Sequence, residues 1–166
     1  MLSAYLIASA MADDLRHLHD RDFAQWAHGQ ARALRDGRFD AVDRQLLANE
    51  LDRLVSRERN EINQRLEALT VQLLMWTVQP SVRTEPLRNA ITEQRGLIDT
   101  LLRSSPSLRS TIEGALAKTY SAALGSVEQA GIARGVFPLD PLFSLDQLVD
   151  RSFWPASIFG GRAFNF

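Results

Sequence analysis

Residues Leu46 to Gln79 read LLANELDRLVSRERNEINQRLEALTVQLLMWTVQ, with neither Pro nor Gly. Within this stretch Leu47, Leu51, Leu54, Ile62, Leu66, Leu69, Leu73 and Trp76 mostly recur at steps of three or four residues. That is the repeat of one helix face. The pattern predicts a single long helix from about Ala41 to Gln79, ~58 Å at 1.5 Å per residue. The one long step, from Leu54 to Ile62, is filled by Glu58, which falls within the apolar stripe. Arg65 and Gln72 follow at intervals of seven on the same side. A carboxylate in such a place must be neutralised, hydrogen-bonded or at the edge of the stripe.

The helices expected on either side are bounded by their own signals. A first helix from about Arg21 to Asp36 is expected to be capped by Asp20 and closed by Gly37. Asp40 is the expected cap of the long helix, with Asp43 in its first turn. Pro80 ends the long helix. Thr84 with Pro86 opens a third, with a stripe of Leu87, Ile91, Gln94, Ile98 and Leu101. Ser105 with Pro106 opens a fourth, with Leu108, Ile112, Leu116, Thr119 and Val127 inward and Gly131 and Gly135 loosening its end. Ser144 and Gln147 form a capping box for a short last helix ending near Arg151. The expected class is all-α: a four-helix bundle-like domain around one long central helix, with a short C-terminal helix and an aromatic tail. The expected organisation is a loosely ordered leader over 1–13, one helical domain over 14–155 and a tail over 156–166. Met11 is an alternative start to Met1.

Composition removes several classes of function. The chain has 166 residues, 45% of them hydrophobic and 23% charged, enough for a folded domain with a core. Net charge is −1, and residues 62–135 carry eight basic and six acidic side chains, too even a balance to point to nucleic acid. There are 18 Arg and one Lys, which base composition of the genome explains. The absence of Cys excludes disulfides, thiolate metal sites and a Cys nucleophile, and fits a cytoplasmic protein. No apolar run reaches the ~20 residues needed to span a bilayer. No HExxH, Walker A, GxGxxG or nucleophile-elbow pattern is present.

Four sets of residues are candidates for a site. The first is a polar seam of Gln30, Glu50, Glu58, Arg65, Gln72, Gln94 and Arg95, from three helices. Bundles build sites from such inward groups. Glu58 and Glu50 are the candidate catalytic carboxylates; the bland alternative pairs Glu58 with Arg65 or Arg95 to fix helix register. The second is His17, His19 and Asp20 with Asp22 and His28, read as surface residues. The third is Arg83, Arg88, Arg95, Arg103 and Arg109, which suit phosphate but are interleaved with Glu85, Glu93 and Asp99. The fourth is the aromatic C-terminus: seven of the chain's 13 aromatics fall in its last 30 residues. Phe137 to Trp154 are expected to close the bundle. Phe159, Phe164 and Phe166 are the expected interaction tail.

One ordered set of motifs is familiar. It comprises Asp22-Phe23-x-x-Trp26, Gln30, Leu34-Arg35-x-Gly37-Arg38-Phe39-Asp40, Glu50-Leu51, Glu58, Leu73-Leu74-x-Trp76, Pro80, Ile91-x-Glu93-Gln94-Arg95, Pro106-Ser107-Leu108 and Phe137-Pro138. It resembles the bacterial family called domain of unknown function 29, over about Leu15 to Pro155. The resemblance implies a small all-α protein and no established reaction. This chain has Gln72, Met75, Asn49 and Leu87 where that family commonly has His, Lys, an acidic residue and Trp. The expected function is a non-enzymatic interaction or regulatory module, self-associating or binding another protein, with no metal or cofactor. The alternatives are an acid/base or metal-dependent hydrolase using Glu58, and a nucleic-acid-binding module on the arginine face.

Overall fold

A computed structural model describes residues 17–158, and the expected interaction tail of Phe159, Phe164 and Phe166 lies outside them. The described residues are all-α, with no strand among them. The main helices are α1 (Phe23–Arg35), α2 (Arg44–Val78), α3 (Glu85–Ser104), α4 (Leu108–Gln129) and α5 (Leu145–Val149). No helix among the described residues is long and apolar enough to cross a membrane.

The chain forms two compact units, one ending at Ser56 and the other beginning at Arg57. The first holds α1 and the opening turns of α2. Its buried apolar residues are Trp26, Ala33 and Val42. Asp22, not Asp20, caps α1, its side chain accepting from the Gln25 N–H at 2.9 Å. Asp20 falls in the preceding helical residues 17–21. Gly37 closes α1 at φ 70°, where glycine avoids the Cβ clash. Arg38 N–H donates to Ala33 O at 2.9 Å and Gly37 N–H to Leu34 O at 3.2 Å, the Schellman pattern. Asp40 does not cap α2, because it lies in a 3₁₀ turn, Phe39–Ala41. Asp43 takes that role and accepts from Leu46 N–H at 3.0 Å.

The second unit contains the core. Ile62, Leu66, Leu69 and Leu73 of α2 are fully buried, as are Ile91 and Ile98 of α3 and Ile112 of α4. Phe143, Leu145 and Leu148 extend the same cluster. Burial of that kind stabilises by roughly 25 cal/mol per Å² of apolar area. The expected stripe on α2 is therefore correct from Ile62 to Trp76. It is incorrect earlier: Leu51 and Leu54 are 56% and 57% exposed, and Leu47 is only half-buried. α4 ends in a second Schellman cap, so Gly131 tightens that end. Gly131 N–H donates to Glu128 O at 2.9 Å and Ile132 N–H to Val127 O at 3.2 Å. The capping box of α5 is present, with Gln147 N–H donating to Ser144 Oγ and Ser144 N–H to Gln147 Oε1. The helix stops at Val149, two residues before the expected end.

Candidate functional site

Glu58 is in the second unit, one turn before the buried stripe of α2, and neither Arg65 nor Arg95 is its partner. Ser105 Oγ lies 2.9 Å from both of its carboxylate oxygens and donates to them, with Ser104 Oγ at 3.2 Å. Here is a second departure from expectation. Ser105 does not cap α4: Ser107 occupies the N-cap position, and the Ser105 hydroxyl is turned toward Glu58. Glu58 thus ties α2 to the α3–α4 connection. Arg65 turns instead to Glu61, with Nε at 3.1 Å and Nη2 at 2.7 Å from one oxygen. Glu58→Gln should keep the fold and lower the unfolding free energy by about 1 kcal/mol, since the amide oxygen still accepts one hydroxyl. Urea denaturation measures this.

Gln72 and Gln94 line two open hollows on either side of Ala68. Gln94 shares one of about 540 Å³ with Glu61, Gln64 and Arg65. Gln72 shares one of about 480 Å³ with Glu67, Val71 and Ser126. The side-chain oxygen of each glutamine is buried without a protein donor.

Gln30 and Glu50 belong to the first unit and do other work. Gln30 is 2% exposed, and its Oε1 accepts from Asp43 N–H at 2.8 Å. A side chain from α1 thereby satisfies one of the free donors at the start of α2. Glu50 receives His19 Nε2 at 2.9 Å and Arg53 Nη1 at 2.7 Å. The other His19 nitrogen, Nδ1, is 3.1 Å from Asp20 Oδ1. The imidazole stands edge-on to Trp26 and Phe23, at centroid distances of 4.8 and 5.6 Å. Only the imidazolium donates from both nitrogens. Hydrogen bonding to Asp20 holds the His19 pKa above its usual value, burial opposes this, and Glu50 adds to the rise. With both nitrogens engaged by carboxylates, His19 has no free lone pair with which to act as a base. His17 and His28 are exposed, and Asp22 is committed to its cap. No group of three His, Asp or Glu among the described residues could hold a metal ion.

Arg95 is the deepest of the seam residues, with 0% exposure. Its Nε donates to Leu148 O at 2.9 Å and its Nη2 to Phe153 O at 2.7 Å. Leu148 is in the last turn of α5, where unpaired carbonyls and the helix dipole favour a cation. Arg95 therefore fastens the segment after α5 to α3. Burial pulls its pKa below the ordinary arginine value, and Asp150 opposes that shift. Of the other arginines, Arg103 pairs with Asp99 at 2.7 Å, and Arg109 pairs with Asp146 and Glu113. Arg83 Nε donates to Trp76 O at 2.8 Å, in the last turn of α2.

The sequence-level seam is thus several separate fastenings. Gln30 and Glu50 serve the first unit; Glu58, Arg65 and Arg95 serve the second. Sequence reasoning missed His19 as the partner of Glu50 and the two backbone carbonyls held by Arg95. Together these features define an all-helical protein whose inward polar side chains join its own elements. The chain belongs to the family described as Domain of unknown function DUF29, whose profile matches residues 18–154. No curated protein and no solved structure matches it.

Proposed function

We propose that the protein is a non-enzymatic interaction module that pairs with a second copy of itself through the opening turns of α2. One observation carries this reading. Leu51, Leu54 and Val55 are 56%, 57% and 53% exposed at helical spacing within the first unit. A contiguous apolar strip of this kind marks an interaction surface.

The polar residues beside the strip favour a second copy as the occupant. Arg44, Ala48 and Asp52 follow at steps of four, so they form one ridge. All three are exposed, and neither Arg44 nor Asp52 makes an ion pair among the described residues. An antiparallel copy centred on Ala48 brings each Arg44 against the partner's Asp52. The small Ala48 side chain lets the backbones approach, and Leu51 and Val55 pack beside it. The ridge is its own complement under a twofold axis, as an isologous dimer interface requires.

The native chain has no cysteine, so one introduced thiol reports on this contact without background. Ala48→Cys should form a disulfide-linked dimer under mild oxidation, because the proposed axis passes through that position. Lys118→Cys, at an exposed position on α4, should stay monomeric. Equal, slow crosslinking at both positions would count against pairing through this ridge.

A further inference from the structure

One cluster in the second unit has features that the fastenings above do not account for. The Trp76 and Trp154 rings have centroids 4.8 Å apart and planes inclined at 45°. Arg88 Cζ lies 5.4 Å from the first centroid and 5.0 Å from the second. Arg83 lies 5.6 Å from Trp76, and Arg95 lies 5.3 Å from Trp154. The indole faces attract these cations but leave their charge in place.

Counter-charge is scarce here. Neither Arg83 nor Arg95 forms an ion pair among the described residues, although Arg65, Arg103 and Arg109 each have a carboxylate in close contact. Arg83 Nη2 and Arg95 Nη1 are buried without a protein acceptor. Arg88 has one acid, Glu85, at 3.9 Å, whose side chain is 75% exposed. Asp150, which acts on Arg95 from a distance, accepts from Ser152 N–H at 2.8 Å and Ser152 Oγ at 2.7 Å. Three guanidiniums thus gather on two rings with weak compensation, and the side chain of Arg88 is half-exposed.

We propose that the Trp76–Trp154 pair, with Arg88 and Arg83, binds a small oxyanion: a phosphate or carboxylate group. Arg88 is the accessible donor, and guanidinium geometry matches either group through paired N–H bonds. Arg83 stands beside it over the same ring, and the buried charge of Arg95 raises the local positive potential.

Two of the chain's three tryptophans are in this site, so intrinsic fluorescence reads it directly. Full-length protein is titrated with sodium phosphate and, separately, sodium acetate, against sodium chloride at matched ionic strength. The proposal expects a saturable change with phosphate, with acetate or with both, and the two arms identify which oxyanion is preferred. Arg88→Gln should weaken that response by about tenfold or more, the loss of one charge-assisted hydrogen bond. Arg103→Gln, removing an ion-paired arginine elsewhere on α3, should leave it unchanged. A response equal to that of chloride, or one unaltered in Arg88→Gln, would overturn the proposal.

Discussion

Arg95→Met should lower the unfolding free energy by about 3–5 kcal/mol, the largest single effect expected in this chain. Methionine roughly keeps the volume but cannot donate. The variant leaves Leu148 O, in a buried setting, and Phe153 O, in a part-buried one, without their donors. It also removes the guanidinium from the face of Trp154. The segment after α5 should come loose first, seen as new amide exchange over residues 148–158. Arg95→Lys should recover only part of the loss, because one ammonium cannot reproduce two donors in a planar fork. Total stabilities of small domains are about 5–15 kcal/mol, so the methionine variant should be marginal. A loss under about 1 kcal/mol would mean that the carbonyls find other donors.

The second large effect is a dependence on pH set by His19. The folded-state pKa of this group is raised, first by Asp20 and further by Glu50, against the opposing effect of burial. A raised pKa contributes stability that is complete below the unfolded value, about 6.5, and is lost as pH rises through the folded value. The first unit should therefore weaken as pH rises from about 6.5 through the folded-state value of His19. The charged groups that face the ring are Asp20 and Glu50, with Arg53 on the far side of Glu50. His19→Gln should abolish this dependence and match the wild type at high pH. Glu50→Gln should shift the His19 proton titration downward in NMR spectra. If His19 in the wild-type protein titrates at or below about 6.5, the arrangement around it is not as described.

Much of the architecture was legible because it rests on local rules. The step from Ile62 to Trp76 is a packing period, and those residues are buried. Gly37 and the Ser144–Gln147 pair act within a few residues of themselves, so their roles can be read from the sequence. Leu51 and Leu54 show the limit of periodicity. It tells which residues share a face of a helix, and leaves open whether any neighbour covers that face. Ser105 shows another limit, since the hydroxyl expected to accept from a helix N–H turns instead to donate to a distant carboxylate. Glu50 and His19 are 31 residues apart, and no spacing rule joins them. Arg95 was recognisable as inward, but its acceptors are backbone carbonyls, which every residue has and no sequence marks. Polar residues on a buried stripe therefore located the fastenings without naming their partners.

The residues that first suggested chemistry hold the protein's own elements together, and the unexplained exposure is on the opening turns of α2. Light scattering of the purified full-length chain over a range of concentrations tests the proposed pairing most directly. Wild-type protein should have twice the monomer mass, 18.6 kDa, at the upper concentrations. Leu51→Glu and Asp52→Arg should each be monomeric. Asp52→Arg combined with Arg44→Asp should restore the dimer, because the exchanged charges again oppose each other across the axis. A wild-type protein that stays at the monomer mass throughout, or a dimer indifferent to all of these substitutions, would contradict the account.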